Sequence, residues 1–312
     1  MIKILKIIGI TLIVLIVIIV AIFVYLSKLP SVPADYYEKV DTIGEIESKY
    51  IQPGNYEVES INIKAMENYK SYTIYYPSSI SSSNQKFPVI IFSNGTGIKA
   101  SSYPALLEHL ASWGFVVMGT EEEYSWNGFS SEMCLRLAIK LNESEKYSDW
   151  ESNPFYQKID LDKIGVSGHS QGGVGVINAA TDTRHANMIK AIYAASTTNK
   201  TLAAAIEWDF DATKINVPTL LVAGTGDMDS KTILPLEGMT EIYNDIPDTV
   251  TKVMMRRNGV DHGDMLYYGD GYMTAWFMWL LQNDQYAATA FTDSNTEILN
   301  NSHWQDILRN VE

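Results

Sequence analysis

Ser170 lies in the stretch IGVSGHSQGG, Ile164 to Gly173, with glycine at each second neighbour, Gly168 and Gly172. A serine hydroxyl is a weak nucleophile until a base takes its proton. It gains most when a tight strand-to-helix turn holds it above a sheet with a helix N-terminus beneath it. The chemistry would be attack on a carbonyl with a covalent intermediate. The spacing alone decides little, since G-x-S-x-G arises by chance in about one chain in ten of this length. The neighbours give it weight. An apolar strand, Ile164 to Ser167, precedes the serine, and a small-residue helix, Gly172 to Ala180, follows it. Side chains at 168 and 172 would collide on such a turn. Neither GxGxxG nor GxxxxGK[ST] is present, so a phosphate-cradling loop is disfavoured.

Five histidines are available as the base. His109 sits among apolar helix residues, His169 adjoins the serine, His185 comes too early in the chain and His303 lies in a polar tail. His262, in NGVDHGDM, follows the last expected strand and precedes the last expected helix, where the order serine, acid, histidine puts the base. The acid that orients it should follow the strand VPTLLVAG. GTGDMD offers Asp227 and Asp229; Asp227 comes first after the turn and is the expectation, with Asp229 the alternative. Asp261 and Asp264 read as loop carboxylates. Oxyanion donors are expected from the backbone N–H of Gln171 and of Thr96 in the glycine-rich SNGTG, with Gly95 the alternative to Thr96. A cation bound by Asp227, Asp229, Asp261, His262 and Asp264 is the weaker reading, because no HExxH or similar spacing accompanies them. No metal or cofactor is expected.

The elements that must hold these residues alternate. Strands are expected at Tyr56–Ile63, Lys70–Tyr76, Val89–Phe92, FVVMG, KIGVSG, MIKAIYAAS, VPTLLVAG and TVTKVMM. Helices are expected at Tyr103–Trp113, Ser130–Leu141 (capped by Ser130 or Ser131), Gly172–Ala180 and Gly271–Leu281. Short strands that are apolar throughout are buried on both faces, so the fold class is α/β, with a mainly parallel sheet covered on both sides. Ligands then meet the C-terminal strand ends, where SNGTG, GHSQGG, GTGDMD and NGVDHGD all lie. The insert Asn142–Gln157 carries Trp150, Phe155 and Tyr156, which read as loop packing rather than as substrate contacts.

The N-terminus is of another kind. Ile7 to Leu26 is an uncharged apolar run, long enough as a helix to cross the roughly 30 Å hydrocarbon core of a bilayer. It is longer than a cleavable signal, so residues 1–28 read as an uncleaved signal anchor. Lys3 and Lys6 before the run favour a cytoplasmic N-terminus and an extracytoplasmic domain at the cell membrane. Residues 29–55 read as a linker and extension, and residues 56–312 as the globular domain.

The 312 residues are 46% hydrophobic and 19% charged, which is globular. The formal net charge is −14; residues 1–28 hold three lysines and no acid, so the remainder carries −17. Such a domain is a poor match for nucleic acid or an anionic surface. The single cysteine, Cys134, excludes an intrachain disulfide.

Taken together, PVIIFSNGTG, LASWGFVVMGT, IGVSGHSQGG, VPTLLVAGTGDMD, GVDHGD and TAWFMWLLQNDQY resemble the α/β-hydrolase superfamily. They are most similar to its branch of bacterial cutinase-like polyester hydrolases, small lipases and dienelactone-hydrolase-like esterases. The resemblance runs from about Tyr56 to about Trp304. It implies an eight-stranded sheet and hydrolysis of small-molecule or lipid carboxylic esters without a cofactor. It also implies a Ser170–Asp227–His262 triad, with Thr96 and Gln171 as oxyanion donors. Two departures stand out. Ser196-Thr197-Thr198 occupies the strand end where those secreted enzymes carry a substrate-clamping tryptophan, and their C-terminal disulfide is absent. The alternatives are an acyltransferase using the same triad on envelope lipids or polymers, and an anchored binding domain without catalysis.

Overall fold

The computed structural model describes residues 30–64, 69–148, 150, 152–292 and 294–311. Nine strands form one sheet: β1 (Val58–Ile63), β2 (Tyr72–Pro77), β3 (Phe87–Ser93), β4 (Val116–Thr120), β5 (Ile159–His169), β6 (Ile189–Ala195), β7 (Thr219–Gly224), β8 (Lys252–Arg257) and β9 (Trp304–Asn310). Their spatial order is β1-β2-β4-β3-β5-β6-β7-β8-β9. From β4 to β8 every pairing is parallel; β1, β2 and β9 add antiparallel margins. Strands β3, β4, β7 and β8 are buried along their whole length, as in FPVIIFS and TLLVAG. Alternation then sends Val89 and Ile91 of β3 into one core and Ile90 and Phe92 into the other.

The first core is covered by α4 (Phe129–Glu143), α5 (Gln171–Asp182) and α6 (Leu236–Asp245). The second is covered by α1 (Tyr36–Lys39), α2 (Glu45–Tyr50), α3 (Pro104–Ser112) and α7 (Asp270–Gln282). Apolar on nearly every side, α7 lies against the sheet, and the Trp276 indole N–H donates to the Ile192 carbonyl at 3.1 Å.

Three expectations change. The segment read as a linker is built into the body: Val32, Tyr36 and Tyr50 are fully buried. The sheet has a ninth strand, β9, whose mixed sequence WQDILRN suits an edge and shows no apolar run. Neither Ser130 nor Ser131 caps α4; Gly128, with φ 74°, precedes the helix, and the Ser131 hydroxyl instead meets that of Ser93 at 2.8 Å. Of the insert aromatics, Phe155 is fully buried with Tyr76 and Trp150 packed against it, whereas Tyr156 is half-buried and its hydroxyl accepts from the Gln157 amide. The apolar run Ile7–Leu26 lies outside the described residues; among the described residues no helix is long and apolar enough to cross a membrane.

Candidate active site

Strand β5 ends at His169, and α5 begins at Gln171. Ser170 is the single residue between them, held at φ 59° and ψ −123°, a strained conformation for a side-chain-bearing residue. Gly172 packs so closely that a Cβ would be driven into the Ser93 carbonyl of β3, and a Cβ on Gly168 into the Gly172 carbonyl. The turn is locked from below by the Ser170 N–H donating to the Ala195 carbonyl at 2.9 Å.

The His262 Nε2 lies 2.9 Å from the Ser170 Oγ, and its Nδ1 lies 2.7 Å from an oxygen of Asp229. The imidazole is buried and Asp229 is fully buried. The other Asp229 oxygen accepts from the Gly224 N–H at 2.8 Å and from the Ser196 hydroxyl at 2.5 Å. Asp261 fastens the two loops together. One of its oxygens accepts from the backbone N–H groups of Met228, Asp229 and His262. These contacts, first the one from His262, hold its carboxyl below the usual range.

The carboxylate that meets the His262 ring is therefore Asp229, where Asp227 was expected. Gly226 opens a helical turn, with the Ser230 N–H donating back to its carbonyl at 2.8 Å. Residues two apart on such a turn face roughly opposite ways, about 200° round the axis. Asp229 turns inward, whereas Asp227 is 82% exposed and pairs with Lys231 at 2.8 Å.

Around these groups opens a cleft of about 680 Å³. Gly95, Thr96, Leu202, Trp208, Met228 and Ile233 are among the residues that line it. Of the two oxyanion candidates in SNGTG, the Gly95 N–H is already engaged, donating to the Tyr103 hydroxyl at 3.1 Å. Thr96 is exposed at the cleft wall. The Gln171 side chain points away from the cleft, where its carbonyl oxygen accepts from the Ser125 N–H at 2.7 Å, leaving its backbone at the helix start. His169 also turns aside: its Nε2 meets the His262 carbonyl at 2.7 Å. Burial, reinforced by the neighbouring His262, pushes the His169 pKa down to about 4, so it stays neutral near pH 7.

A nucleophile turn between parallel strands, with the acid and histidine on the following strand ends, is the arrangement of the α/β-hydrolase superfamily. Residues 45–306 match the PET hydrolase-like family. The chain belongs to that family. Its relatives include the bis(hydroxyethyl) terephthalate hydrolase of Streptomyces coelicolor, 28% identical over 209 residues, which are 65% of this chain and 58% of that one. Cutinase est1 of Thermobifida alba is 29% identical over 197 residues, 61% of this chain and 57% of the relative. Cutinase 1 of Thermobifida cellulosilytica is 26% identical over 217 residues, 67% of this chain and 72% of the relative. The chain thus spans somewhat more than half the length of the first two relatives.

Within the family frame, two site residues escape a reading by motif. Ser196 stands just past the end of β6, and its hydroxyl donates to Asp229. Asp261, read as a surface carboxylate, ties the acid's loop to the histidine's. Adjacency to His262 in the sequence was the one available signal for Asp261; Ser196 had none, because the contact joins two strand ends.

Proposed function

We propose that the protein is a membrane-anchored serine hydrolase of carboxylic esters, acting through Ser170, His262 and Asp229. The observation that carries this reading is the unbroken contact from the Ser170 hydroxyl through the His262 ring to a buried carboxylate. Ser170 attacks the ester carbonyl as His262 takes its proton. The Thr96 and Gln171 backbone N–H groups receive the oxyanion. Collapse expels the alcohol, protonated by His262, and leaves an acyl-Ser170. Water, activated by the same imidazole, then releases the acid and restores the serine. Asp229 holds the ring in the tautomer that accepts at Nε2 and steadies the imidazolium. The names of the relatives support esters as the substrate class, and the apolar run Ile7–Leu26 supports the anchor, with the domain on the extracytoplasmic side of the cell membrane.

The test is turnover of p-nitrophenyl butyrate together with labelling by a fluorophosphonate. Ser170→Ala should lower kcat by about 10³-fold or more and abolish the label. Undiminished turnover in that variant would exclude the mechanism.

A further inference from the structure

Ser31 lines the catalytic cleft together with Thr96, Ser170 and His262. It is pinned there: its N–H donates to the Ser102 carbonyl at 2.8 Å, and the next residue, Val32, is fully buried. The apolar run ends at Leu26, five residues earlier. Five residues span at most about 18 Å when fully extended. A helix crossing the bilayer up to Leu26 therefore leaves the cleft mouth almost no room to stand off from the membrane surface.

The cleft is built for such a position. Met228 and Ile206, both in its lining, are 50% and 40% exposed, so the cleft presents two large apolar side chains outward. Leu202 and Trp208 continue the apolar wall inward. The lining holds no lysine or arginine among the described residues, and Asp264 is its one carboxylate outside the triad. A cleft of this kind suits an acyl chain and an uncharged head, and it disfavours an anionic headgroup. The domain's charge of −17 would by itself keep it off an anionic surface, so closeness to the bilayer must come from the chain's own N-terminus.

We propose that the catalytic cleft opens onto the bilayer that carries the anchor and draws neutral acyl glycerides from it. The inference rests on the ester-hydrolase reading and on the anchor, and adds to them a substrate class and an orientation.

The experiment uses the full chain reconstituted in phosphatidylcholine vesicles containing dioleoylglycerol. A helical spacer of about 20 residues between Leu29 and Pro30 lifts the domain by about 30 Å. Release of oleate should then fall about ten-fold, because the ester is no longer presented at the mouth, while p-nitrophenyl butyrate turnover stays within about two-fold. A second arm reads geometry. A fluorophore on Met228→Cys should be quenched by bromolipids about two-fold or more above one on Asn84→Cys, which precedes β3 at the opposite ends of the strands. The buried Cys134 does not compete for label. Equal oleate release with and without the spacer overturns the proposal. So does the absence of oleate release while p-nitrophenyl butyrate is still cleaved, and so does equal quenching at the two positions. Failure to cleave p-nitrophenyl butyrate at all removes the hydrolase reading itself, and this inference with it.

Discussion

Asp227 and Asp229 have the same chemistry and nearly the same address, and only the local helical turn separates their roles. Asp229 is fully buried with both oxygens engaged, whereas Asp227 reaches solvent and Lys231. Asp229→Asn should lower kcat for p-nitrophenyl butyrate by about 10³–10⁴-fold, because the amide stabilises the wrong imidazole tautomer. Asp227→Asn should leave it within about two-fold. Steady-state kinetics of the two variants make the comparison directly. His169 carries a different signature. It is a neutral base in the folded protein with a pKa near 4, whereas an unfolded histidine titrates near 6.5. The unfolded chain therefore binds the extra proton between these values. Stability from this residue is complete above about pH 6.5 and falls as pH drops toward 4. Between about pH 7.5 and about pH 5 the loss should be about 2 kcal/mol. His169→Gln should remove that part of the acid slope in urea midpoints. His109, whose pKa Asp270 and nearby carbonyls raise against the pull of burial, slopes the opposite way in both proteins and cancels from the difference. At this scale the pairing of Ser170 with His262 was legible because their flanks differ from every other serine and histidine, while which of two aspartates in one turn would meet the ring was not.

Elements were legible where burial is one-dimensional. Apolar runs such as VIIF and LLVA read as strands because both faces of a central parallel strand are covered. The four-residue α1 and six-residue α2 are too short for periodicity to stand out, and β9 pairs on one side only. What joins neighbouring strand ends was equally hidden, and Ser196 is the case with consequences. It stands just past β6 at φ 44°, its N–H donating to the Val222 carbonyl of β7 at 2.7 Å, its hydroxyl donating to Asp229. Held in left-handed backbone between these two hydrogen bonds, Ser196 is expected to act as a positioning residue, fixing the carboxylate that meets the imidazole. Ser196→Gly removes the hydroxyl and suits the backbone. It should lower kcat about ten-fold with KM within about two-fold. If Ser196 only filled space at the strand end, kcat would not move, and a side-by-side kcat and KM measurement separates the two.

The whole molecule is closed by contacts between its two ends. Glu47 of α2, 1% exposed, accepts from the Arg257 guanidinium at 3.0 Å, the Trp304 indole at 2.8 Å and the Asn301 amide at 2.7 Å. Tyr36 and Tyr50 make parallel ties, each hydroxyl 2.6 Å from a carboxylate of the C-terminal region, Asp270 and Asp284. These partners lie more than 200 residues apart, and no periodicity or local motif announces such pairing. That is why the extension read as a linker. Burial pushes the Glu47 pKa up, and Arg257 opposes the shift. The pair persists because each charge answers the other inside the protein. Glu47→Ala strands the Arg257 guanidinium, itself only 3% exposed, without its carboxylate and with the Asp41 carbonyl and the rings of Tyr268 and Trp304 beside it. The expected cost is about 3–5 kcal/mol in urea-unfolding free energy. Glu47 takes no part in the contacts around Ser170, so kcat measured well below the unfolding transition should change by less than about two-fold. A large drop in kcat from the folded variant would instead mean that the N-terminal segment shapes the cleft, whose lining Ser31 joins.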